Sequence, residues 1–203
     1  MSLMKTGVLY VAIPFLSVMV GYQALQTNRD LEQVSIVSDT LTPTPQVLKD
    51  LESLGGFKED ESIDAKKTLY IFYDPTCPSC HTLFDASKKN LYQKQGITIK
   101  WIPTTILGDE EESVSAAIYG LTANSKEQQA KIFSANKPYV PITSTGVEGV
   151  STNNQYLKTY SSLTASILAV PTVLYMSPNG SNVTISYNIS DDAYLLELID
   201  GIS

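Results

Sequence analysis

The chain has 203 residues, 43% of them hydrophobic, which is enough for one domain with a substantial core. A formal net charge of -7, with only 14 Lys and Arg, argues against nucleic acid as a partner. Charged residues make up only 17% of the chain, so neutral polar groups solvate much of the surface.

No charge occurs between Lys5 and Arg29, and Gly7 to Gly21 is an apolar run. A short positive end before such a run predicts a signal peptide or a signal anchor over residues 1–25, with the rest of the chain sent across the membrane. Cleavage after Gly21 or Ala24 would leave Met19 or Tyr22 three positions upstream, neither of them small, which favours retention as an anchor in the membrane. Residues 26–62 read as a linker, with Pro43 and Pro45 and a short helix over Asp30 to Val34. Within it Val47, Leu48, Leu51 and Leu54 repeat at helical spacing over Gln46 to Leu54, and Gly55-Gly56 ends that helix. Lys58 to Ser62 reads as a solvated acidic loop.

The chemistry sits in the next segment. Leu69 to Tyr73 is an apolar run rich in β-formers, the pattern of a buried strand. Asp74-Pro75-Thr76 follows, then Cys77-Pro78-Ser79-Cys80-His81, which holds the only two cysteines and the only histidine. Thr82 to Tyr92 reads as a helix, closed by Gly96. Both sulfurs therefore fall on the first turn of a helix, where unpaired N–H groups and the helix dipole stabilise an anion. A thiolate is such an anion, so Cys77 is expected to be an exposed nucleophile of lowered pKa, with Cys80 deeper. Pro78 suits an early helix position because its missing N–H has no partner there. Pro78-Ser79 adds neither ring nor charge between the sulfurs, whereas a protonated His81 would add positive charge.

The same five residues also spell the attachment signature of a c-type haem. A zinc site wants four ligands, and two cysteines with one histidine fall short. A bridge closing so short a loop restrains little of the unfolded chain, which argues against a purely structural disulfide.

Ile97 to Ile102 alternates and is β-branched, a second strand in a strand–helix–strand unit that implies parallel pairing. A helical insert is expected over about residues 106–166. It comprises helices over Glu111 to Leu121 and Ser125 to Ala135, a loop over Lys137 to Gly149, and a helix over Thr152 to Ala165. Ile167 to Met176 returns to strand, with Val170-Pro171 oddly placed inside it. Ser177 to Gly180 is a turn, Asn182 to Tyr187 completes a hairpin, and Ser190-Asp191 caps a final helix.

This order of elements, with Cys-x-x-Cys on a helix start and Val170-Pro171-Thr172 within a later strand, resembles the thioredoxin superfamily over about residues 63–203. Phe72-Tyr-Asp-Pro-Thr-Cys-Pro-Ser-Cys-His81 and Trp101-Ile-Pro103 resemble the bacterial periplasmic disulfide oxidoreductases of the DsbC/DsbG type. The resemblance implies an α/β thioredoxin-like fold, with Cys77 as the attacking thiol, Cys80 as the resolving thiol and Pro171 as a cis-proline facing the pair. It also implies a periplasmic location, protein clients with thiols or disulfides, a redox partner protein in membrane or periplasm, and no cofactor. Many relatives carry a buried acid where this chain has Ile71, which leaves Asp74 or water as the proton relay. The roughly forty residues between the apolar run and the domain are too few for the isomerases' N-terminal dimerisation domain. Oxidase or reductase activity is therefore expected rather than isomerase activity. A redox-inert thioredoxin-like assembly factor is the remaining alternative.

Overall fold

In the computed structural model the described residues are 38–41, 45–59, 67–88, 96–163, 168–176 and 183–187. The expected signal or anchor segment, the helix over Asp30 to Val34, the turn after Met176 and the final helix lie outside them. Among the described residues no helix is long and apolar enough to cross a membrane.

The described elements are β1 (Ser38–Leu41), α1 (Pro45–Ser53), β2 (Phe57–Lys58), β3 (Lys67–Tyr73), α2 (Pro78–Ser87), β4 (Ile97–Pro103), α3 (Glu111–Gly120), α4 (Lys126–Ile132), α5 (Ser144–Leu163), β5 (Thr172–Met176) and β6 (Val183–Tyr187). They build one mixed sheet in the order β1-β6-β5-β3-β4-β2. Strand β3 is interior, parallel to β4 from Lys67↔Ile97 to Tyr73↔Pro103 and antiparallel to β5. Leu69 to Tyr73 is buried throughout, as a strand covered on both faces must be.

Alternation along β3 divides the core. Leu69, Ile71 and Tyr73 pack with Leu83 and Phe84 of α2 and Trp101 of β4. Tyr70 and Phe72 pack on the other face with Leu51 and Leu54 from α1 and its end, and with Leu157 and Tyr160 of α5. The two faces bury large side chains at about 25 cal/mol per Å² of apolar area, so α2 and α5 are held on opposite sides by the same five-residue run.

Three expectations need correction. The stretch read as linker supplies β1, which pairs antiparallel with β6, and β2, which pairs antiparallel with β4. The loop expected over Lys137 to Gly149 is instead helix from Ser144 onward. Thr143 caps that helix, its Oγ1 accepting the Gly146 N–H at 3.1 Å. Gly146 and Gly149 are not chain breakers there. A methyl group on Gly146 would meet Ile118 Cγ2 at 2.8 Å, and one on Gly149 would meet Leu121 Cδ1 at 2.9 Å. They let α5 and α3 approach closely. Finally, the strand expected from Ile167 starts only at Thr172, after Pro171, whose missing N–H cannot serve a ladder.

Candidate active site

The site forms where β3 ends and α2 begins. The Cys77 N–H donates to the Asp74 carbonyl at 3.0 Å, closing a tight turn between them. Cys77 is the N-cap of α2, with extended backbone and its sulfur accepting the Cys80 N–H at 3.3 Å. Pro78 is the first helical residue, as its missing donor allows. Pro78 is exposed, Ser79 half-buried, and both cysteines are free thiols.

Burial corrects one expectation. Cys77 is only 4% exposed and Cys80 0%, so the first sulfur is a recessed rather than an open group. Its electrostatics still separate it from Cys80. A bond from the Cys80 thiol, followed by the N–H groups of Cys80 and Ser79, brings Cys77 down from 9.0 to about 7, outweighing burial and the nearby Asp74 charge. Cys80 moves the opposite way. Burial, then its bond and charge coupling to Cys77, pushes that thiol well above its ordinary value.

Val170 and Pro171 come from the segment just before β5, the strand paired with β3. The Val170–Pro171 bond is cis. The Cys77 thiol lies 3.5 Å from the Val170 carbonyl, to which it donates as S–H. Pro171 is buried and Val170 half-buried.

Asp74 and His81 brace the turn between strand and helix. Asp74 is fully buried, and its Oδ1 accepts the Thr76 N–H at 2.8 Å and the Thr76 hydroxyl at 2.7 Å. Its Oδ2 accepts the Leu107 N–H at 3.1 Å, from the loop after β4. His81 Nε2 lies 2.8 Å from the Pro75 carbonyl, which can only accept, so that nitrogen carries the proton. The His81 ring stands edge-on to Phe133 at 5.5 Å. Phe133, at the end of α4, also stacks on Phe84 at 4.0 Å and meets Trp101 at 5.4 Å. The insert thus forms a wall on α2, through an aromatic that no motif in the sequence marks.

Glu59 is the other residue the sequence concealed. It belongs to the stretch expected to be a solvated acidic loop, yet it is 8% exposed. Its Oε1 accepts the Ser87 hydroxyl at 2.6 Å and the Trp101 indole N–H at 2.5 Å. The backbone on either side of this carboxylate is also fixed, Glu59 N–H to the Ile99 carbonyl and Thr98 Oγ1 to the Glu59 carbonyl, both at 2.9 Å. A charge run near a short strand is legible as surface, and only the partner strand shows it to be core.

Residues 62–189 match the family model for the thioredoxin-like domain, and the chain belongs to that family. No curated protein matches the sequence. Among solved structures it is similar to a periplasmic thioredoxin-like protein from Salmonella enterica serovar Typhimurium, at 12% identity and a TM-score of 0.53. That match covers 79% of this chain and 97% of the other. It is also similar to ScsC of Proteus mirabilis in a compact conformation, at 15% identity and a TM-score of 0.52, covering 94% and 91% of the two chains. At these identities the likeness shows the fold.

Proposed function

We propose that this protein is a thiol–disulfide oxidoreductase that exchanges disulfides with protein clients through Cys77 and Cys80, in the periplasm. The observation that carries the reading is the division of labour between the two sulfurs. Cys77 caps α2, with N–H groups that favour its thiolate, while Cys80 is a fully buried thiol one turn on. The location rests on the positively charged end and apolar run of the sequence, and on the periplasmic thioredoxin-like protein among the structural neighbours.

In the reducing direction, the Cys77 thiolate attacks one sulfur of a client disulfide and displaces the other as a thiolate. The Cys80 thiol then gives up its proton, attacks Cys77 Sγ and displaces the second client thiolate. The protein dithiol has lost two electrons and two protons, and the client disulfide has become a dithiol. The oxidising direction is the same path reversed. Pro171 and Val170 are the wall beside which the client sulfur would lie, since the Val170 carbonyl already touches Cys77. Protein clients and a redox partner that resets the pair complete the cycle.

The haem alternative fits the geometry poorly. Both sulfurs are buried against the sheet, and His81 Nε2, one of its two nitrogens able to meet an iron, is turned to the Pro75 carbonyl.

The test is trapping. Cys80→Ala, expressed in cells that export it, should accumulate mixed disulfides with clients on non-reducing gels that disappear on reduction. Cys77→Ala should accumulate few. Equal trapping by both variants, or by neither, would overturn the assignment.

A further inference from the structure

Asp74 has two candidate roles in such a site: it can pass protons, or it can act as a fixed charge. The geometry favours the second. The carboxylate is fully buried, and both of its oxygens already accept bonds, from Thr76 N–H, Thr76 Oγ1 and Leu107 N–H. Among the described residues neither oxygen bonds a sulfur. Three donors from two separate loops pin the group, so it cannot swing toward Cys80 without breaking them. Yet it belongs to the turn that caps α2, three residues before Cys77, whose N–H is bonded to the Asp74 carbonyl.

We infer that Asp74 is a positioning residue whose held negative charge opposes thiolate at Cys77, moving the pair toward its disulfide relative to the same site without that charge. The inference rests on the proposed oxidoreductase function and deepens it by naming a residue that tunes the pair: the Cys80 thiol and the N–H groups of the cap lower Cys77 overall, and Asp74 moderates that lowering. A dithiol whose thiolate is stabilised resists oxidation and makes a strong oxidant of its disulfide. A negative charge beside the sulfurs works the other way. The groups acting on Cys77 support this: Cys80 and the N–H groups of Cys80 and Ser79 pull its pKa down, whereas Asp74 pushes it up. At Cys80 the Asp74 backbone bond, which favours the thiolate, outweighs the Asp74 charge, which opposes it, so the effect of the charge is read at Cys77. Of the other titratable groups beside the site, His81 is bonded to Pro75, and Tyr73 carries a buried phenol coupled to both Cys80 and Asp74.

The experiment compares wild type with Asp74→Asn, which keeps the size and one acceptor but loses the charge. Alkylation of Cys77 against pH should show a midpoint lower by about half a unit. At pH 7 that increment on a thiol of about 7 corresponds to about a twofold shift of the glutathione equilibrium toward the dithiol, roughly 10 mV. Thr76→Val serves as control. It removes one donor and keeps the charge, so it should leave the midpoint where it is. A midpoint unchanged or raised in Asp74→Asn, an equilibrium shifted toward the disulfide, or a Thr76→Val variant that reproduces the lowering would each overturn the inference. If Asp74→Asn melts out, carbon NMR of the wild-type protein decides. The Asp74 carboxyl resonance should follow the Cys77 titration and lose that step once Cys77 is alkylated; no such step would overturn the inference too. Alkylation needs only a thiol, so these results stand apart from client trapping. If trapping fails while Asp74→Asn still moves the midpoint, the function falls and the charge effect remains.

Discussion

Raising the pH through neutrality should switch Cys77 on, and by an amount the geometry bounds. A shift from 9.0 to about 7 makes about half of Cys77 thiolate at pH 7, against about one part in a hundred for the unshifted thiol, a gain of about fiftyfold. The less basic thiolate is also a weaker nucleophile. With a Brønsted slope of about 0.45, two units remove about eightfold. At pH 7 the net advantage over an unshifted thiol of equal access is therefore only about sixfold, and at high pH Cys77 should plateau below it. Removing the Cys80 thiol takes away the largest cause of the lowering while leaving the N–H groups of the cap, so Cys80→Ala should move the midpoint up by about one unit. The assay is the rate of iodoacetamide labelling at Cys77, resolved from Cys80 by peptide mass spectrometry, from pH 5 to 10 in wild type and Cys80→Ala. The same shift has a thermodynamic face. Because the folded pKa lies below the unfolded one, the stabilisation is present above about 9 and is lost as pH falls through about 7, at most about 2.7 kcal/mol for two units. The raised pKa of Cys80 opposes it only above about pH 9, where an unfolded Cys80 would ionise. The dithiol form should therefore gain stability between pH 7 and 9 relative to Cys77→Ser, and the disulfide form should not. A labelling midpoint at or above about 8.5, the value of a free thiol, would refute the cap account.

Two further perturbations test the frame around the site. Glu59→Leu should cost about 2–3 kcal/mol, because hydrogen bonds to a charged group are lost and the Trp101 indole N–H is left unpartnered by Glu59. Urea unfolding followed by the fluorescence of Trp101, the only tryptophan, measures it, and a loss under about 1 kcal/mol would show Glu59 to be dispensable. Gly56→Ala should destabilise by about 2–3 kcal/mol, since the added methyl would run into the Trp101 backbone carbonyl, which cannot rotate away. Gly149→Ala meets only the flexible end of Leu121 and gains helix propensity of about 1 kcal/mol, so its melting temperature should stay close to wild type.

The local chemistry was readable without coordinates. An apolar β-rich run, a cysteine pair on a helix start and a proline just inside that helix depend on backbone geometry within about fifteen residues. The burial of Leu69 to Tyr73 and the cap at Cys77 follow from that segment, and the parallel partner over Ile97 to Ile102 follows from the strand–helix–strand order. The resemblance likewise pointed to Pro171, whose cis bond lies against Cys77 through Val170. What depended on distant partners was not readable. Glu59 looks like surface because acidic stretches usually are, and it is buried only because Ser87 and Trp101 supply donors from other elements. Gly146 and Gly149 look like breakers because glycine is a poor helix former, and only the fold shows both inside α5, facing the side chains of Ile118 and Leu121. The resemblance left Asp74 or water as the proton relay, and only the fold shows that the N–H of Leu107, thirty-three residues away, donates to the Asp74 carboxylate. Propensity and periodicity record what a segment prefers by itself, whereas burial of a charge or close approach of two helices is decided by which surfaces the sheet brings together.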